Sequence, residues 1–303
     1  MFSGVAWGRQ ANIGPMGTVD QLLREGTRRL GGLGDSPRLD AELLLSHALG
    51  QTRESLYRAL FSAVAPETEE SYGLLLAERE KRRPVAQLVG KRDFWTFTLA
   101  VTGATLVPRP ETELLVERAL TRIPADVPWS VVDLGTGTGA IALAIARERP
   151  HCTVLATDLS NPALAVARRN GKALGLPNVS FKQGDWFQPL PKPDSLQWRC
   201  HLLVSNPPYI GLDEWPDTDP ELGFEPRIAL DGGRDGLDAY RVLTAGAPRY
   251  LRPGGWLLLE HGFRQGEDVR ALLKEAGFGN VTTTADLAGR PRVSEGQTGA
   301  PPL

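Results

Sequence analysis

From Ser130 onward the chain alternates short apolar runs with loops and helical segments, and this alternation limits the fold more than any other feature. Residues 130–132 run into Asp133-Leu134-Gly135-Thr136-Gly137-Thr138-Gly139, followed by a helical stretch over 140–148. A second strand over 153–157 ends at Asp158 and leads to a helix over 162–174. Strands over 179–182, 201–205 and 256–260 follow, the last after a helix over 237–250. Strands that return through helices predict an α/β fold, a doubly wound parallel sheet with helices on both faces. Residues 281–293 are expected to add a closing antiparallel pair. Ligands of such sheets sit beyond the carboxyl ends of the strands, so those loops are the places to look for chemistry.

The preceding third reads as a small all-helical domain over 18–85, with substrate recognition as its expected role. Thr18 and Gln21 have the spacing of a capping box, and Val19, Leu22, Leu23 and Leu30 recur at helical intervals. Ser36-Pro37 opens a second helix carrying Leu39, Leu43, Leu44 and Ala48, with Gly50 as its stop. Shorter helices are expected over 53–61 and 67–82. A β-hairpin linker is expected over 86–110. There Trp95, Phe97, Leu99 and Val101 alternate with Thr96, Thr98 and Ala100, and Thr102-Gly103 turns the chain back toward 105–107. The sheet domain then occupies 111–303, and its first helix, over 114–122, has the acidic first turn that a helix dipole favours. Residues 1–17 read as a disordered leader without the apolar core of a signal peptide. Met16 stands directly before the first helix, so a later start is an equally good reading of that leader.

Composition excludes several classes. The net charge of −2 argues against a protein whose main partner is a phosphate backbone. A basic patch of Arg79, Lys81, Arg82, Arg83, Lys91 and Arg92 is diluted by Glu78, Glu80 and Asp93, and a solvated face is its simpler meaning. No apolar run is long enough for a membrane helix. The two cysteines, Cys152 and Cys200, lack metal-ligand spacing and read as reduced core residues of a cytoplasmic protein. The four histidines are scattered and form no metal cluster.

Three strand ends carry candidate chemistry. Gly135, Gly137 and Gly139 let the backbone approach a ligand where a Cβ would collide. Asp158 follows about 20 residues later, where an acid accepts from both ribose hydroxyls of a nucleoside. Gly135, Gly137 and Ala140 also satisfy a dinucleotide pattern, so an NAD enzyme competes. The third glycine and the acid Asp133 at the strand end favour S-adenosylmethionine, whose cationic sulfur suits such a lip better than a pyrophosphate does. Asp185 is placed to accept from an adenine amino group, and Trp186 to cover the base, although a loop tryptophan can also plug a domain edge.

Asn206-Pro207-Pro208-Tyr209 follows the buried run 201–205. Two prolines stiffen the loop and donate no backbone N–H, Asn206 adds a side-chain acceptor, and Tyr209 adds a flat face. Such a loop suits a planar NH₂ group, on a carboxamide or an amino-purine. Asn-Pro and Pro-Pro are also ordinary turn elements.

These residues carry a resemblance. The chain resembles the release-factor glutamine N5-methyltransferases (the PrmC or HemK family) from about Thr18 to Val293. The likeness runs through Arg83-Pro84-Val85-Ala86-Gln87-Leu88-Val89-Gly90 and Leu106-Val107-Pro108-Arg109-Pro110-Glu111-Thr112-Glu113. It continues through the 133–139 loop, Asn206-Pro207-Pro208-Tyr209, Glu225-Pro226-Arg227-Ile228-Ala229-Leu230 with Gly232-Gly233, and Asp286-Leu287-Ala288-Gly289-Arg290-Pro291-Arg292. It departs at Thr102-Gly103-Ala104, where a proline is expected before the turn glycine.

The resemblance implies a Rossmann-like class I methyltransferase sheet, S-adenosylmethionine as methyl donor with S-adenosylhomocysteine as product, and peptide chain release factors as partners. The acceptor would be the glutamine of their Gly-Gly-Gln loop. It implies cofactor contacts at Gly135, Thr136, Gly137, Thr138, Gly139, Asp158, Trp186 and Asn206, to which the residue reading adds Asp185. Asn206, Pro207, Pro208 and Tyr209 would hold the glutamine, with the Asn206 side-chain oxygen and the Pro207 carbonyl accepting its two N–H groups and Tyr209 packing on its plane. Arg109 and Glu111 would line the substrate groove or lock the hairpin to the first sheet helix, the latter favoured for Glu111. Two other classes compete: an adenine-N6 or cytosine-N4 nucleic-acid methyltransferase using the same loop on a flipped base, and a non-catalytic protein that keeps the fold. Direct nucleic-acid binding is not expected.

Overall fold

The computed structural model describes residues 17–34, 36–192 and 199–299. Apart from Gly17, the expected leader lies outside them. The chain forms two compact units, Met1–Val89 and Gly90–Leu303.

The first unit packs five helices: α1 (Val19–Arg29), α2 (Pro37–Leu49), α3 (Arg53–Arg58), α4 (Pro66–Glu80) and α5 (Val85–Val89). The capping box at the start of α1 is formed in both directions, Gln21 N donating to Thr18 Oγ1 at 3.3 Å and Thr18 N to Gln21 Oε1 at 2.8 Å. Gly50 ends α2 in the left-handed conformation. The core is Leu23, Leu30, Leu44, Leu45, Leu56, Tyr72 and Leu76. The buried face of α2 therefore includes Leu45 and Ala41, whereas Leu39, expected inside, is 38% exposed. The wider face follows from packing against both α1 and α4. Glu42 on α2 is buried yet fully partnered by Arg38, Arg53 and Tyr57.

The second unit opens with a hairpin, β1 (Lys91–Phe94) and β2 (Phe97–Ala100), in register Phe94↔Phe97. This corrects the expected one, in which Trp95 stood inside a strand and Thr102-Gly103 made the turn. The turn is Trp95-Thr96, with Trp95 at φ +57°. Trp95 is held there by its own contacts, its amide donating to Glu113 Oε1 at 2.7 Å and its indole to Glu148 Oε1 at 2.9 Å. Residues 105–107 form no strand, because the Val107 amide goes to the Glu225 carboxylate at 2.8 Å instead of to a ladder.

Next come α6 (Thr112–Arg122), β3 (Ser130–Leu134), α7 (Ala140–Glu148), β4 (Thr153–Asp158), α8 (Asn161–Leu174), β5 (Val179–Gln183) and β6 (Cys200–Ser205). The unit is completed by α9 (Asp238–Gly246), β7 (Leu251–Glu260), α10 (Gly266–Glu275), β8 (Gly279–Ala285) and β9 (Pro291–Gln297). Helix α9 stops short of the expected 250 because Pro248 enters a 3₁₀ turn. Helix α10 was not foreseen, although Val269, Leu272 and Leu273 have helical spacing behind an acidic first turn.

The seven strands lie in the order β5-β4-β3-β6-β7-β9-β8. The first five are parallel, and β9 and β8 close the edge antiparallel as expected. Strand residues alternate between two cores. Val131, Leu202, Val204 and Leu258 face α6 and α7, while Val132, Leu203, Leu257 and Leu259 face α9 and α10. Burial on both faces explains why these strands read as continuous apolar runs. Cys152 and Cys200 are buried and unpaired. Strand order reverses beside β3, whose neighbours are β4 and β6, and a crevice is expected at their carboxyl ends.

Candidate active site

A cavity of about 360 Å³ opens at those strand ends. The loop after β3 supplies Gly135, Thr136, Gly137 and Thr138, and the end of β4 supplies Asp158. The loop after β5 supplies Asp185 and Trp186, and the loop after β6 supplies Asn206 and Pro208. Residues distant in the sequence are thus gathered around one space.

The loop after β3 is built to bring backbone to the ligand. Gly135, Gly137 and Gly139 have φ of +76°, +56° and +87°. The amides of Gly135 and Thr136 are anchored on Thr157 O at 2.9 and 2.8 Å. Asp158 stands over the loop, its two carboxylate oxygens accepting from Gly137 N and Ser160 N, each at 2.8 Å. Each oxygen keeps capacity for a further donor. Burial raises the Asp158 pKa above its ordinary value, and those amides oppose the rise.

The loop after β6 is fixed at both ends. Asn206 Nδ2 donates to Thr112 Oγ1 at 3.2 Å, which turns its Oδ1 away from that partner. Beyond the two prolines, Tyr209 O accepts from Gln265 Nε2 at 3.0 Å, and Ile210 N donates to Leu230 O at 2.9 Å. The loop also passes so close to Gly232 that a Cβ there would stand 2.8 Å from Tyr209 Cα. Among the described residues no group donates to the Pro207 carbonyl or to Asn206 Oδ1.

Several expected contacts lie elsewhere. Gly139 is off the cavity and caps α7, where a Cβ would come within 3.0 Å of Leu143 Cδ1 and 3.3 Å of Ala167 Cβ. Its missing side chain serves packing, so Gly139→Ala should destabilise the protein by about 2–5 kcal/mol through left-handed strain and overpacking. Urea unfolding reads this directly; wild-type stability with weakened ligand binding would contradict it. Pro207 is buried and does not line the cavity. The Tyr209 ring packs into the α9/α10 core, so it does not present a stacking face to the cavity. Asp133 is no part of the lip. It is wholly buried beneath the loop, accepts from Thr136 Oγ1 at 2.5 Å, and is pushed up to about pKa 7 by burial.

Arg109 lines the cavity and pairs with buried Glu225, which also holds the Val107 amide. One carboxylate thereby ties the wall 105–109 to the wall 226–231. Glu111 is exposed and makes no capping bond; the lock between hairpin and α6 is Glu113. Sequence reasoning missed Thr112, Glu225, Glu260 and Gln265. Glu260 carried a readable signal, an acid closing an apolar strand as Asp133 and Asp158 do. Glu260 Oε1 accepts from Thr112 Oγ1 at 3.2 Å, and burial pushes its pKa up to about 7. Exposed Leu159, Ile228 and Val242 form an apolar rim.

Comparison with known proteins places this geometry in a family. Residues 21–90 match the family model described as PrmC N-terminal domain, and residues 127–276 match the one described as methyltransferase domain. A release factor glutamine methyltransferase from Xylella fastidiosa (strain 9a5c) is 51% identical over 260 residues, covering 86% of this chain and 93% of that protein. The protein of the same name from Coxiella burnetii (strain RSA 493 / Nine Mile phase I) is 40% identical over 285 residues, covering 93% and 99%. The solved structure of the hMettl16 catalytic domain in complex with MAT2A 3'UTR hairpin 6 matches with TM-score 0.53 at 14% identity, over 75% of this chain and 84% of that one. At that identity the likeness speaks for the fold alone. With near full-length relatives at such identity, and with the glycine loop, Asp158 and the Asn-Pro-Pro-Tyr loop around one cavity, the chain belongs to the release factor glutamine methyltransferase family.

Proposed function

We propose that this protein transfers a methyl group from S-adenosylmethionine to the side-chain amide nitrogen, N5, of the glutamine in the Gly-Gly-Gln loop of peptide chain release factors. The observation that carries the reading is Asn206, whose amide nitrogen is tied to Thr112 and whose oxygen is left free beside the cavity. S-adenosylmethionine supplies a methyl on a sulfonium, so the leaving-group chemistry belongs to it. Asp158 would hold its ribose hydroxyls with the remaining lone pairs, Gly135 to Thr138 would line its amino-acid tail, and Asp185 and Trp186 would receive the adenine.

An amide nitrogen is a poor nucleophile because its lone pair is delocalised into the carbonyl. Asn206 Oδ1 accepts one of its N–H groups, which orients the nitrogen and stabilises the positive charge that grows on it, and the methylated nitrogen then loses its extra proton to water. Gln265 and the 230–232 segment keep the loop rigid, so that acceptor needs no reorganisation. Tyr209 contributes through its main chain, held by Gln265. The rim of Leu159, Ile228 and Val242 suits a protein loop, and the helical unit would help recognise the factor. No helix among the described residues is long and apolar enough to cross a membrane. A place in the cytoplasm, beside the translation machinery, follows from the acceptor.

Transfer of labelled methyl from S-adenosylmethionine to a purified release factor, with a short DNA duplex in parallel, tests the class of acceptor. Label on the factor alone is expected; label on the duplex would move the protein to the nucleic-acid methyltransferases.

A further inference from the structure

Asn206 can serve as an acceptor only if its amide is turned the right way, and nothing in its own side chain decides that. The decision is made behind it. Asn206 Nδ2 donates to Thr112 Oγ1 at 3.2 Å, and Thr112 Oγ1 donates to Glu260 Oε1 at 3.2 Å. Thr112 and Glu260 are 5% and 2% exposed; Thr112 joins the cavity lining, whereas Glu260 lies behind it. The Asn206 amide also hydrogen-bonds the Glu260 carboxylate and lowers its pKa, so its NH₂ end faces a second acceptor beside Thr112.

A hydroxyl has one proton, and an ionised carboxylate only accepts. While Glu260 is ionised, the Thr112 proton is committed to it. Thr112 then offers Asn206 lone pairs alone, and these must meet NH₂, so Oδ1 faces the cavity. A protonated Glu260 donates to Thr112 instead, and the Thr112 proton becomes free to meet Asn206 Oδ1. The amide then turns its NH₂ toward the acceptor, donor against donor.

We infer that Glu260 is a positioning residue for Asn206, its carboxylate setting, through Thr112 and through its own bond to the Asn206 amide, which end of that amide faces the glutamine. This rests on the role given to Asn206 above. Burial raises the Glu260 pKa most; the Thr112 bond and Arg292 lower it, Glu111 raises it, the Asn206 bond lowers it, and the phenols of Tyr209 and Tyr240 complete its surroundings. The Tyr240 hydroxyl is occupied by Glu260 O at 2.9 Å and does not reach the carboxylate's role. Since the ionised form is the productive one, kcat rises with pH through the Glu260 titration and is flat above it.

The test compares wild type, Glu260→Gln, Thr112→Val and Thr112→Ser. Glu260→Gln and Thr112→Val should each lower kcat by about 10- to 100-fold, and Glu260→Gln should also flatten its pH profile, with the cofactor Kd and release-factor KM within about threefold of wild type. Thr112→Ser should restore most of what Thr112→Val loses. A second readout needs no turnover: in the protein alone, titration of the Glu260 side-chain carboxyl by ¹³C NMR should show a higher midpoint in Thr112→Val, which has lost the donor. A folded Glu260→Gln with wild-type kcat and pH profile would overturn the inference. So would an unchanged Glu260 midpoint in Thr112→Val, or a loss confined to melting temperature and cofactor affinity. Failure of the function itself looks different: wild type would transfer no methyl to the factor, or Asn206→Ala would be as active as wild type.

Discussion

Asn206→Ala is expected to lower kcat by about 10²- to 10³-fold, the cost of removing one preorganised polar group aimed at developing charge. Cofactor affinity should change only a few-fold, because the groups around Asp158 and the 135–138 loop remain. The variant leaves the planar NH₂ without the side-chain acceptor that the loop offers to the cavity. The nitrogen lone pair is then no longer directed, and the orientation term is lost. Single-turnover rates with release factor, set against calorimetry with S-adenosylhomocysteine, separate the two effects. Equal losses in both would show that Asn206 acts through cofactor binding.

Asp158→Ala has the opposite signature. Two hydrogen bonds from hydroxyls to a charged group contribute about 1.5–3 kcal/mol each, so the Kd for S-adenosylhomocysteine should rise by about 10²- to 10⁴-fold. Asp158 also fixes the Gly137 and Ser160 amides, so its loss loosens the loop that shapes the cavity floor. At saturating cofactor kcat should recover most of its value. Asp158→Asn retains one acceptor oxygen and should fall between the two. A variant that binds normally but turns over slowly would remove Asp158 from the ribose position.

The strands that frame the site were legible because they are buried on both faces and their apolar runs are uninterrupted. The loops that end them were legible because glycine and proline restrict backbone geometry locally. Local signals failed where distant side chains decide. Trp95 occupies a left-handed turn position because Glu113 and Glu148 hold it, and no alternation pattern encodes those partners. Thr112 and Glu260 meet across 148 residues, and Val107 and Glu225 across 118, so their pairing appears only once the sheet is assembled. Asp133 was visible as an acid at a strand end, but whether it points into the cavity or under the loop depends on the pleat and on Thr136. The same ambiguity hid Glu260, the acid on which the orientation of Asn206 depends.

The atom expected to receive the methyl is a glutamine amide nitrogen. Fragment-ion mass spectrometry of a release factor, after incubation with this protein and S-adenosylmethionine, locates the added methyl within the Gly-Gly-Gln peptide. A single methyl on that glutamine's side-chain amide, absent when the glutamine is replaced by alanine, is the expected result. A methyl on any other residue, or an unmodified peptide from a preparation that binds the cofactor, would contradict it.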